Sequence, residues 1–250
     1  MKTLTVITAV DPELSEHLPA TWQSLAEQQL PDSWTMEWLV QCDGTDETSQ
    51  HIVRSLLPDD PRVSFGASRK GGPGIARTMA LARANGSLIK TLDADDRLTT
   101  GTLMRDIAAL SQKGIGWSAS RVMDDREGVL APHFPYDPPA GRIRSGSAYR
   151  AYTKENYRIL VHPATLCVRY ALLLALGGWM ALPASEDTGL LMALDAIADG
   201  WFNADVGMIY RRWEPQMSAS IAHNDPNELA ARRSLVTARA DALGYLVDGW

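Results

Sequence analysis

Apolar residues in the first hundred positions fall into short β-branched runs separated by stretches of helical spacing. Leu4–Val10 reads as a buried first strand. Thr21 to Gln29 places Trp22, Leu25 and Ala26 on one helical face, with Pro19 suited to its first turn. Glu37–Cys42 is a second strand, and Asp43-Gly44-Thr45-Asp46 turns out of it into a helix around Ser49–Leu57. Arg62–Phe65 forms a third strand, Gly71-Gly72-Pro73-Gly74 opens a helix over Ile75–Ala84, and Leu88–Leu92 is a fourth strand. This alternation predicts an α/β fold with a Rossmann-like, mostly parallel central sheet flanked by helices. Such sheets bind ligands beyond the carboxyl ends of their strands. Asp43 and Asp93 should then share one sheet edge.

The second half is less regular. Strands are expected in Gly114–Val122, Ala164–Val168 and Trp201–Tyr210, and a turn at Gly177-Gly178-Trp179. Glu186–Ala198 reads as a helix with Leu190, Leu191, Leu194 and Ile197 inward, and Asn227–Leu246 as a closing amphipathic helix. The proline-rich stretch Ala131–Gly146 reads as a long loop of the kind that serves as a lid or binding segment. Trp22, Trp38 and Trp179 are expected in the core. No linker interrupts the chain, so residues 1–250 should form one domain. Its expected parts are residues 1–98, a smaller part over 99–225 and a C-terminal helix (226–250).

A net charge of −6 argues against non-specific nucleic-acid binding. It leaves room for a local basic groove along Arg142-Ile143-Arg144, Arg150 and Lys154. Only Cys42 and Cys167 occur, without metal-type spacing, so a reducing, cytoplasmic setting is expected. The apolar start stops at Asp11-Pro12, too short for a signal segment, and Ala171–Leu176 is too short to span a bilayer. Peripheral membrane contact stays open.

The chemistry concentrates in Leu92-Asp93-Ala94-Asp95-Asp96, where a strand ends in three carboxylates. Their mutual repulsion calls for a cation or for full solvation. An Asp-x-Asp can hold a divalent ion through hard oxygen ligands, with diphosphate oxygens completing the shell. The plainer reading is an acidic turn in which Asp96 or Thr100 caps the next helix. Asp43 suits a base or ribose contact, or an Asx-turn. Lys70–Gly74 suits an anion cradle or a plain turn, and lacks the P-loop pattern. Glu186-Asp187, after Ser185, suits a general base or simply a helix start complementing the macrodipole. His162 reads as structural; His223 reads as a loop residue or a metal ligand. Arg211 and Arg212 face phosphate or only solvent.

In order and spacing these motifs resemble family 2 glycosyltransferases of the GT-A fold, over most of residues 4–215. The resemblance rests on Leu4–Val10, Val40–Asp46, Gly72-Pro73-Gly74-Ile75-Ala76-Arg77, Leu92–Asp96, Leu176–Trp179 and Ser185-Glu186-Asp187. It implies that Thr8, Ala9, Val10, Asp43 and Arg77 hold the nucleotide. Asp93 would contact ribose or metal, and Asp95 would ligate Mn2+ or Mg2+, with Asp96 in the same acidic set. Asp187 would be the base, paired with Glu186, and Arg212 with Arg211 would close over the donor. The resemblance further implies that residues 1–98 are a nucleotide-binding half and 99–225 an acceptor-side half, with acceptor selection expected in residues 131–157. The chain departs from the family pattern at Thr8-Ala9-Val10-Asp11 and in a turn after Asp43 that is one residue shorter. Thr78 stands where Asn is usual, and Trp213 stands where many relatives carry His, leaving a third metal ligand unassigned.

The implied activity is metal-dependent, inverting transfer of a sugar from a nucleotide-diphosphate donor, a UDP-sugar being favoured. The acceptor would be a hydroxyl or amine of a glycan, lipid-linked or small-molecule partner. Alternatives are a catalytically silent nucleotide-sugar-binding module or a sugar-1-phosphate nucleotidyltransferase. The latter wants a Gly-rich loop where Val10-Asp11-Pro12-Glu13 stands. A phosphatase reading is poor because Arg97 occupies the last position of its motif.

Overall fold

The alternation of side chains along each strand assigns the two faces of one sheet to two separate cores. In a computed structural model describing residues 1–132, 137–212 and 225–248, strands β1 (Lys2–Val10), β2 (Trp34–Asp43), β3 (Val63–Ser68) and β4 (Leu88–Thr91) form a parallel 3-2-1-4 half. Leu4, Val6, Val10, Trp38 and Val40 face helices α1 (Leu18–Ala26), α2 (Glu47–Ser55) and α4 (Thr102–Leu110). Ile7, Leu39 and Ile89 face the other way, toward α3 (Pro73–Ala80), α5 (Ser147–Lys154), α6 (Tyr170–Ala175) and α7 (Glu186–Ile197). The closing helix α8 (Pro226–Asp248) adds Val236 and Ala240 to this second core. Trp38 and Trp179 are core residues as expected, and Trp22 stacks on Trp38 with ring centroids 5.5 Å apart.

The far half departs from a purely parallel sheet. β5 (Arg97–Leu98) and β6 (Ile115–Arg126) lead to β9 (Cys167–Arg169), which runs antiparallel between β4 and β6. β10 (Asp199–Arg211) then pairs in parallel with β6. The expected loop over 131–146 is corrected. It begins with β7 (Val129–Pro132), antiparallel to β6, and contains β8 (Gly141–Ile143), antiparallel to β10. The helix α5 then occupies part of the expected lid. Strands this short carry too few positions for period-two patterning to be visible, and Gly141 and Gly146, at φ 116° and 77°, supply the turns.

Beneath the site, Lys90 of β4 is fully buried. Its Nζ lies 2.9 Å from Asp106 Oδ2 and donates to the Thr165 carbonyl, while Ser118 Oγ donates to Asp106 Oδ1 at 2.8 Å. A buried pair of this kind fixes register more than it adds stability. Among the described residues no helix is long and apolar enough to cross a membrane.

Candidate active site

The acidic turn follows β4 directly and is held from below. The Asp96 N–H donates to the Asp93 carbonyl at 3.2 Å, and the Thr21 hydroxyl of α1 lies 2.8 Å from the Ala94 carbonyl and 3.0 Å from that of Asp96. From the end of β10, the Arg211 N–H donates to Asp96 Oδ1 at 3.0 Å and its Nε to the Asp95 carbonyl at 3.2 Å. Asp93 and Asp95 keep partly exposed side chains, whereas Asp96 is fully buried. Burial, then the charges of Asp95 and Asp93, push the Asp96 carboxyl well above the usual range. Asp96 therefore corrects the expectation of an open metal ligand: it is a structural group under the turn. Nor does it cap α4, whose cap is Gly101 in the left-handed region.

Arg77, on the second turn of α3, is buried between two acids. Its Nη1 donates to Glu186 Oε1 at 2.8 Å and its Nη2 to Asp93 Oδ1. It is not solvated: both amino groups donate to carboxylates. Glu186 and Asp187 start α7, and Ser185 before them sits at φ 66° with no side-chain cap. A non-glycine residue there costs about 1–3 kcal/mol, a strain typical of functional sites. Asp187 Oδ1 accepts from the Thr188 N–H at 2.5 Å. Burial raises the carboxyls of Glu186 and Asp187, the Asp187 charge pushes Glu186 up further, and Arg77 draws both down.

Other expected residues are accounted for differently. Asp43 accepts from the N–H groups of Gly71 and Gly72 at 2.8 and 2.9 Å, so these two candidate anion-cradle amides are occupied by the protein's own carboxylate. Thr8 is buried and its hydroxyl accepts from Trp38 Nε1 at 2.9 Å; Val10 is core. Ala9, half-buried, is the one of the three nearer the surface. Arg212 Nε donates to Asp124 Oδ2 at 3.0 Å, and its guanidinium lies 4.7 Å from the Tyr210 ring centroid. His162 is structural: its Nδ1 accepts from the Ala164 N–H at 3.3 Å and its ring meets Tyr210. Trp213 and His223 lie outside the described residues.

Asp124 and Asp125, at the carboxyl end of β6, were missed. Asp125 pairs with Arg97 at 2.7 Å and Asp124 with Arg212. Acids at a strand end, the cue used for Asp43 and Asp93, mark them too.

The profile of glycosyl transferase family 2 matches residues 5–172. The chain belongs to this family. It is a glycosyltransferase, and its solved structural neighbours show the GT-A fold. S. aureus TarS 1–349 in complex with UDP-GlcNAc is 22% identical at a TM-score of 0.70, over 99% of this chain and 71% of that one. A further S. aureus TarS structure is 21% identical at 0.68, over 97% of this chain but 42% of that chain. The mannosyltransferase PcManGT from Pyrobaculum calidifontis, in complex with GDP-Man and Mn2+, is 16% identical at 0.60, over 99% of this chain and 76% of that one. No curated protein matches the chain. In this family 2 glycosyltransferase Arg77 pairs with both Asp93 and Glu186, and Asp187 is near enough for its charge to act on Arg77.

The acids also bear on a cation. Among the described residues no three His, Cys, Asp or Glu side chains converge as a complete metal shell. Two partly exposed carboxylates, Asp93 and Asp95, do stand at the strand end. Mg2+-like ions are commonly held by one or two carboxylates plus substrate phosphates, so this sparse set fits an ion completed by the donor.

Proposed function

We propose that this family 2 glycosyltransferase carries out metal-dependent, inverting sugar transfer from a nucleotide-diphosphate donor. The observation that carries the proposal is Arg77, which ties Asp93 of the acidic turn to Glu186 beside Asp187. Donor-side and base-side acids thereby share one centre. A UDP-sugar is the favoured donor because TarS neighbours at TM-scores of 0.70 and 0.67 hold UDP-GlcNAc and UDP.

Asp95, with Asp93, would hold Mn2+ or Mg2+, which when bound neutralises charge building on the leaving diphosphate. Asp187 takes the proton of the acceptor hydroxyl or amine as that group attacks the anomeric carbon. Its raised pKa keeps it basic enough for this task. Glu186 does not move the proton; held by Arg77, it fixes the first turn of α7. Asp43 closes the turn before α3 and so places the wall of the nucleotide side. Attack from the face opposite the diphosphate inverts the anomeric centre.

Release of UDP from a panel of UDP-sugars, with Mn2+ and with EDTA, tests this reading when products are analysed for anomeric configuration. Metal-dependent transfer with inversion is expected. Equal turnover in EDTA, or retention of configuration, would contradict it; tight UDP-sugar binding without any product would instead match a silent binding module.

A further inference from the structure

Residues of β8 and α5 line an open cleft of about 420 Å³. Four arginines line it: Arg142, Arg144, Arg150 and Arg158. One carboxylate, Glu155, shares the lining and pairs with Arg158 at 2.7 Å. Asp199 lies just behind, 2.9 Å from Arg142 and 3.4 Å from Arg144. Arg150 donates to Ser147 Oγ at 3.1 Å, and its charge also acts on the Asp195 carboxyl, drawing it down. Four guanidiniums thus meet three carboxylates, Glu155, Asp199 and Asp195, which leaves a local excess of positive charge in a chain whose net charge is −6. Like charges gathered in a concave site raise the local potential and draw in an anion. Arginine forks match the oxygens of a tetrahedral oxyanion, and the cleft volume is that of a small-ligand site.

The cleft is separate from the donor site. Asp195, nine residues along α7 from Glu186 and so about 13 Å of helical rise away, anchors the start of α5: its carboxylate accepts from the Tyr149 N–H at 2.9 Å. We propose that this cleft binds a phosphoryl oxyanion, as carried by a phospholipid headgroup or a soluble phosphate. It holds an anionic ligand in place while the acids at the other end of α7 do their chemistry. Its binding does not depend on the catalytic reading above.

The test is calorimetric titration of the full chain with sodium phosphate at low ionic strength, with and without excess UDP. Co-sedimentation with phosphatidylglycerol and phosphatidylcholine vesicles accompanies it. Saturable phosphate binding that UDP does not displace is expected, weakened about tenfold in the double variant Arg144→Gln, Arg150→Gln while UDP affinity is unchanged. Arg144 is 75% exposed, so its replacement leaves the fold intact, and Arg144→Glu provides a second, stronger reversal. Binding to phosphatidylglycerol but not phosphatidylcholine vesicles, lost in the variants, identifies a headgroup as the source; phosphate binding without vesicle binding identifies a soluble phosphate. Equal binding by wild type and variants, displacement by UDP, or no binding of either probe overturns the proposal.

Discussion

Arg77 donates to Glu186 Oε1 across 2.8 Å and grips Asp93 with its other amino group, joining α3, the end of β4 and the start of α7 through one side chain. Its pKa is driven further up by both acids despite burial. A single lysine ammonium cannot form this fork. Arg77→Lys should lower kcat about a hundredfold by displacing the acids, and Arg77→Gln should cost about 3 kcal/mol of stability by leaving buried Glu186 unpaired. Steady-state kinetics and urea denaturation read the two effects; a variant with wild-type kcat would show that the tie is not needed.

Asp187→Asn removes the proposed base and keeps the shape of the site. Transfer should fall by about 10²–10⁴ while UDP affinity changes little. The pH profile gives an independent check. The base works only when ionised, and burial raises the Asp187 carboxyl above its usual 3.8, so kcat/KM should fall with acidification at a pH above that value. A limb at 3.8 or lower would remove Asp187 from the role.

Gly74 meets α7 with no room for a side chain. A Cβ there would lie 2.7 Å from Glu186 Cγ and 2.9 Å from the Met180 carbonyl. Because the second contact is backbone, Gly74→Ala should cost about 1–3 kcal/mol and shift Glu186. Thermal unfolding and kcat should drop together, and an unchanged melting temperature would contradict this close approach.

Asp195 is buried at the far end of α7, and burial pushes its carboxyl up to about 6. The folded state then holds its proton more tightly than the unfolded chain does. This contribution to stability is full below about pH 4 and is lost as pH rises through 6. At roughly 1.4 kcal/mol per unit, the ionised form costs the fold about 3 kcal/mol at pH 8. Asp195→Asn should therefore gain in stability relative to wild type between pH 5 and pH 8, followed by denaturation at both values. A difference independent of pH would refute it.

The parallel half of the sheet was legible because Leu4–Val10 and Glu37–Cys42 are buried strands with dense β-branched or alternating patterns, and because Gly72 and Pro73 punctuate α3. The acid-rich strand ends Asp43 and Asp93 were legible for the same reason. What was hidden depends on contacts distant in sequence. Asp43 bonds to Gly71, Arg77 to Glu186 over 109 positions, and Arg211 to Asp96 over 115. No local pattern distinguishes a carboxylate aimed at a ligand from one already satisfied by the chain. The expected loop also failed for a local reason: prolines and glycines around Gly141 and Gly146 read as irregular chain although β8 starts at Gly141 and α5 follows Gly146. The basic stretch within it did read through, since Arg142, Arg144 and Arg150 line one cleft.

The central claim is that Asp93 and Asp95 hold a cation that in turn holds the donor diphosphate. Calorimetric titration of UDP into the protein with Mn2+, into the protein with EDTA, and into the Asp95→Asn variant with Mn2+ tests it most directly. The account predicts tight binding in the first case and binding at least about tenfold weaker in the other two. Equal UDP affinity in all three would contradict it.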